Sequence, residues 1–242
     1  MCDKRGFTLV EILIALAVGT MMMAAIYSMI NLSQRSSSGI ERRVSAQQDA
    51  KTALELMAME IRMASYNPLS TADGAIWLNP ATCTAGDFSI TPERKGIQVA
   101  TANAMTIEMD INDLGSVRDV ANEIISYNYD AGNLYITRAT NCGSAQPFLG
   151  DTATSGRTRT VRVINGDTSI YNPVIPVFRY FDGVGNDISA TVVSDPGNGT
   201  TGIPAIRRIE ITLAVETENP DANSGRKRMI YSTSVIVRNH VP

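Results

Sequence analysis

The sequence predicts an α+β fold, in which one long amino-terminal helix, apolar all round in its first half and amphipathic in its second, packs on a mostly antiparallel β-sheet. Three observations predict it. An unbroken apolar run extends from Phe7 to Ile30 with Glu11 as its only charged side chain. Apolar residues then recur close to a 3.6-residue period from Val44 through Ala50, Leu54, Met57 and Ile61 to Ala64. After Pro68 the texture changes to short alternating runs separated by Gly, Asn, Asp and Pro, the pattern of strands and turns.

Residues 1–6 are polar, carry Lys4 and Arg5, and read as a leader peptide. A secretory signal places its small-residue cleavage site after the apolar core, whereas here the small residue, Gly6, precedes it, so a cut at that point retains the helix. The 24 residues of 7–30 form a candidate transmembrane helix. At about 1.5 Å per residue it is roughly 36 Å long, enough to cross a hydrocarbon core of about 30 Å with some tilt. Lys4 and Arg5 flank the span and predict a cytoplasmic amino terminus, with everything after Ile30 in the periplasm. A plain single-pass anchor would explain the length and the orientation of this segment. It would not explain Glu11, because a carboxylate one turn inside such a helix is costly to bury in lipid and implies a partner.

Residues 31–66 are expected to continue the helix outside the membrane, with Gly19 and the cluster Ser36–Gly39 as its soft points. Lys51 and Glu55 are four apart on the outward side. The stop is predicted at Tyr66-Asn67-Pro68, since a residue before proline is pushed out of helical geometry. The stripe of Leu54, Met57 and Ile61 is the face on which residues 67–242, a β-rich globular domain, should pack.

Within that domain Met105, Ile107, Met109 and Ile111 alternate with Thr106, Glu108, Asp110 and Asn112, which predicts a strand with one wet face. Ile125, Tyr127 and Tyr129 lead through the turn residues 130–133 to Leu134 and Ile136, a hairpin. Val161 and Val163 mark a short strand, and 177–181 another. The clearest pair is last: Ile209, Ile211, Leu213 and Val215 alternate with polar residues, and the chain returns as 229–238. One antiparallel sheet with an apolar and a wet face follows.

Cys2 falls in the segment expected to be removed, which leaves Cys83 and Cys142 in loops outside the membrane. They read as a disulfide rather than two free thiols, closing a loop that stabilises by roughly 2–4 kcal/mol. Catalytic chemistry is scarce. The only histidine, His240, is two residues from the end and reads as part of a mobile terminus, which disfavours Ser-His-Asp, Cys-His and zinc arrangements. No phosphate-cradling glycine motif occurs. Asp182 to Asp187 offers oxygen ligands for calcium but lacks the full loop pattern and reads as a turn. The net charge of −3 and the brief basic clusters 157–159 and 226–228 point away from nucleic acid and towards protein partners. No metal or cofactor is expected, and the chain reads as a structural subunit rather than an enzyme.

Gly6-Phe7-Thr8-Leu9-Val10-Glu11 resembles the processing motif of type IV prepilins and related pseudopilins, which extends the predicted architecture to a pilin-like one. The resemblance implies that a prepilin peptidase cuts between Gly6 and Phe7 and that Phe7 is then N-methylated. It also gives Glu11 a partner, the terminal amine of a neighbouring subunit in an assembled filament. Segments 46–50, 54–57, 61–66 and 235–239 are similar, more loosely, to those of PilW-type minor pilins. The partners implied are the prepilin peptidase, other minor pilins, the major pilin and the inner membrane. The amino-terminal motif equally suits a J-type minor pseudopilin of type II secretion. A pilus-associated adhesin and a tethered periplasmic enzyme are the rivals from other classes.

Overall fold

The computed structural model describes residues 7–79, 94–150, 160–218 and 225–240. Its first element is α1 (Leu9–Arg62), one continuous helix that runs through both Gly19 and the serine cluster. It ends with a cap at Met63, before Pro68 can act. The earlier stop has a local cause. Ser65 adopts φ +64, and its N–H leaves the helix to donate to the Glu108 carbonyl at 2.9 Å. Gly96 lies against this turn so closely that a Cβ there would meet Glu108 O at 2.4 Å and Ser65 Cα at 2.5 Å, so only glycine fits.

Two antiparallel sheets follow where one was expected. The first has the order β1 (Ile97–Ala100), β2 (Ala104–Glu108), β3 (Ile124–Asp130), β4 (Tyr135–Thr140) and β5 (Gln146–Leu149). The second is built around β8 (Arg208–Thr217), with β9 (Arg228–Ile236) on one edge and β7 (Phe178–Phe181) and β6 (Val161–Val163) on the other. Because β7 and β6 lie end to end, the middle of that edge would be left open. The buried Asn165 fills it: Nδ2 donates to Thr212 O (2.8 Å) and Ile175 O (3.2 Å), while Oδ1 accepts from Ala214 N–H (2.8 Å). A side-chain amide thus stands in for a missing stretch of strand.

The hairpin of β3 and β4 forms at the predicted place, where Asp130 Oδ1 accepts from the N–H groups of Gly132 (2.9 Å) and Asn133 (3.0 Å). The wet face predicted for β2 is a correction. Thr106, Glu108 and Asp110 are buried, because α2 (Asp73–Ile76) and the residues after it bring Ile76, Trp77 and Leu78 together with Val117 and Ile124 into a second small core. Leu54, Met57 and Ile61 face the main core as expected, but the stripe starts at Ala46; Val44 is exposed. Small additions are α3 (Ser189–Ser194) and the 3₁₀ turn Ile203–Ala205.

Candidate functional site

Thr8 starts α1 as its N-cap, and Glu11 completes a capping box. Thr8 N–H donates to Glu11 Oε2 at 2.8 Å, the Thr8 hydroxyl donates to the same oxygen at 3.0 Å, and Glu11 N–H donates to Thr8 Oγ1 at 3.3 Å. Within one chain, then, the carboxylate serves its own helix end, where the helix dipole also favours a negative charge. The Thr-x-x-Glu spacing that signals this was present in the sequence, but the reading of Glu11 passed over Thr8. Phe7 is 84 % exposed beside the cap, and Gly6 lies outside the described residues. From Phe7 to Ile30 every residue is exposed, so nothing among the described residues covers this apolar surface. Its length and composition suit a membrane span.

The second half of α1 fixes the domain to this anchor. Burial of Ala46, Ala50, Leu54, Met57 and Ile61 supplies the apolar grip. One charged group sits in the same stripe: Glu60, three residues after Met57, is buried and paired with Arg138 of β4 through Nη2–Oε1 (2.6 Å) and Nε–Oε2 (3.2 Å). The Tyr127 hydroxyl donates to Glu60 Oε2. Burial, reinforced by the Glu60 charge, holds this phenol well above its usual range. A carboxylate within an apolar stripe was the visible signal for this network.

At the far end of the helix a buried clasp closes the domain. His240, predicted in a mobile terminus, is instead 1 % exposed. Its Nε2 lies 2.9 Å from the Ile203 carbonyl, which can only accept, so Nε2 carries the proton and Nδ1 accepts from the Ser65 hydroxyl at 2.8 Å. Ser65 Oγ in turn accepts from Gly96 N–H at 3.1 Å. Burial holds the imidazole down at about 4, so it is neutral at pH 7. A serine–histidine bond normally raises the question of a nucleophile. Here both groups are buried, and Nε2 donates to a carbonyl rather than to a carboxylate, so the pair is a clasp.

Nearby, burial pushes the Glu108 carboxyl up to about 8. Its Oε2 accepts from Leu78 N–H (3.0 Å) and Gln98 Nε2 (3.2 Å). The cleft beside the clasp, about 520 Å³, includes Asn67, Thr71, Asp73 and Trp77 in its wall. Two of its polar pairs are bonded within the wall: Trp77 Nε1–H donates to Asp73 Oδ1 (2.9 Å), and Thr71 N–H to Asn67 Oδ1 (3.0 Å).

Cys142 is disulfide-bonded; Cys83, its expected partner, lies outside the described residues. Asp182 spends its carboxylate on the turn as the sequence suggested, accepting from Val184 N–H (2.9 Å) and Asn186 N–H (2.8 Å). Among the described residues no group of three acidic, histidine or cysteine side chains is placed to hold a metal. Of the basic clusters, 157–159 lies outside the described residues, while Arg226 and Arg228 flank the buried Glu216 at 3.8 and 3.5 Å.

Residues 1–27 match the family model of the prokaryotic N-terminal methylation motif. No curated protein and no solved structure matches the chain. The matched segment takes in the leader, the capping box with Glu11 and most of the apolar surface, and the motif implies processing by prepilin peptidase and assembly with other pilins. With that motif at its head and a long helix packed on antiparallel sheets behind it, the chain carries the amino-terminal signature of type IV pilin-like proteins on an architecture consistent with a pilin fold.

Proposed function

We propose that this chain is a minor pilin, a structural subunit that takes part in initiating type IV pilus assembly, anchored in the inner membrane with residues 67–242 in the periplasm. The observation that carries the reading is the methylation motif continuous with an apolar helical segment, residues 7–30, that is exposed on every side and whose one charge is Glu11. Prepilin peptidase cuts between Gly6 and Phe7, and the new amine of Phe7 is methylated. Apolar helices of several subunits then associate, and Glu11 meets the terminal amine of a neighbour, so that neither charge is left unpaired in a low-dielectric bundle. The capping box supports this geometry, because it holds Glu11 Oε2 at Thr8 and leaves Oε1 without a bond among the described residues. The looser similarity to PilW-type minor pilins favours a priming role over that of the bulk subunit. The sheets would then choose which minor or major pilins sit alongside.

The test is Glu11→Ala and Glu11→Gln in a strain with active prepilin peptidase. Both should insert and be cut after Gly6, while recovery in sheared pili or with other minor pilins falls for Glu11→Ala. Wild-type recovery of processed Glu11→Ala would remove the pairing and leave a plain anchor. Intact pili with lost protein secretion on deletion of the chain would instead indicate a J-type minor pseudopilin.

A further inference from the structure

β9 is the longest open sheet edge among the described strands, and its bonds to β8 fix which of its groups are free. Val237 N–H donates to Arg207 O at 3.1 Å, and Thr217 N–H donates to Lys227 O at 3.0 Å. With Ile209 opposite Val235 and Val215 opposite Met229 between these bonds, the odd-numbered residues of β9 are the hydrogen-bonded partners of β8. The main-chain groups of Arg228, Ile230, Ser232, Ser234 and Ile236 therefore point away from β8, and none is bonded elsewhere among the described residues. An edge of this kind is a template for a further strand.

The surroundings give the edge a chemical preference. Lys51 of α1 lies over the Tyr231 ring at 5.8 Å, and Arg62 lines one cleft of about 470 Å³ with Ser234, Ile236 and Arg238, so the helix runs alongside β9 in the same direction. Among the described residues neither Arg62 nor Arg238 pairs with a carboxylate. Ile230 and Ile236 are 53 % and 59 % exposed on the outer face.

We infer that the open edge of β9 takes an added strand from a different protein, an extended segment with alternating apolar residues and a carboxylate that reaches Arg62 and Arg238. Main-chain bonds supply the affinity, and the two guanidiniums with the exposed isoleucines supply the selectivity. A second copy of this chain is the wrong occupant. Residues 225–240 contain Arg226, Lys227, Arg228 and Arg238 and no Asp or Glu, and antiparallel pairing of two β9 edges would set one cationic end against the other. The inference is independent of the Glu11 reading, since each concerns a different end of the molecule and either can fail alone.

The test uses the full chain in detergent micelles with a capped synthetic peptide, Glu-Val-Thr-Val-Thr-Val-Glu, as the probe. Fluorescence anisotropy reads its affinity, and amide hydrogen exchange reads the edge. The peptide should bind and slow exchange at Ile230, Ser232, Ser234 and Ile236. An analogue with lysine at both ends should bind about tenfold more weakly, as expected for two exposed charge contacts. Combining Arg62→Glu with Arg238→Glu should reverse that order. N-methylation of alternate peptide amides should abolish binding, and this arm leaves the protein unaltered, so it decides even where a variant fails to fold. Equal binding of acidic and basic peptides, insensitivity to N-methylation, unprotected edge amides or no binding would each overturn the inference. So would dimerisation of the chain through β9, which would assign the edge to a second copy.

Discussion

Replacing Glu108 with glutamine should remove a loss of stability on the alkaline side of neutrality and uncover a second titration beneath it. Desolvation holds the folded-state Glu108 carboxyl at about 8 against an ordinary 4.5, so the folded chain binds an extra proton between those values. Its contribution is complete below pH 4.5 and is lost as pH rises through 8. His240 has the opposite sign. Burial, opposed by the Ile203 hydrogen bond and aided by the charges of Arg207 and Lys95, leaves it at about 4 against 6.5, so its contribution is complete above pH 6.5 and is lost as pH falls through 4. Between pH 4.5 and 6.5 the two slopes, each about 1.4 kcal/mol per pH unit, cancel. From pH 6.5 to 8 Glu108 acts alone, and the wild-type chain should lose about 2 kcal/mol. Glu108→Gln keeps an acceptor for Leu78 N–H, so its stability should be level from pH 6.5 to 8. It should also fall by about 3 kcal/mol from pH 6.5 to 4, the His240 effect unmasked. Urea unfolding in micelles, followed through the single, buried Trp77, measures this directly. Parallel curves for wild type and Glu108→Gln between pH 6.5 and 8 would refute the assignment.

Glu60→Ala should destabilise the domain by about 3–5 kcal/mol, because it leaves the half-buried Arg138 without its charge partner; a double-mutant cycle with Arg138→Ala should show coupling, and strict additivity would count against the pair. Intact-mass analysis of protein from native membranes should find a chain beginning at Phe7 with one added methyl group; Met1 retained in a peptidase-active strain would contradict this. Non-reducing peptide mapping should join Cys83 to Cys142, and two separately alkylated thiols would exclude that bond.

The elements most legible in the sequence were those whose pattern is long enough to average out accidents. Helix α1 and the pair β8 and β9 each carry a sustained period over many residues, and their pairing matched the expectation. β1 and β5 have four residues each, too few for alternation to stand out. The division into two sheets depends on which strand each edge meets, and a one-residue device such as Asn165 leaves no periodic trace. β2 was read with a wet face because its polar residues alternate correctly; burial there is decided by Trp77 and Val117, remote in sequence. His240 was misjudged for the same reason, since its fate rests on Ser65 and Ile203. At the amino terminus the motif is plain, and the Thr8–Glu11 capping box is legible in the same residues as a Thr-x-x-Glu spacing.

The parallel course of α1 and β9 has a mechanical consequence. From Leu9 to Ser45 the helix contributes nothing to the core, a stretch of about 55 Å, and it first enters the core at Ala46. Tension drawn along that stretch meets the sheet along its strands, not across them. The alanine and leucine stripe and the Glu60–Arg138 bond then share the load in shear and must give way together, rather than opening one contact at a time like a peeled tape. Detachment under tension becomes a single event set by the height of one barrier, a property suited to a subunit held by its helix and pulled by its domain.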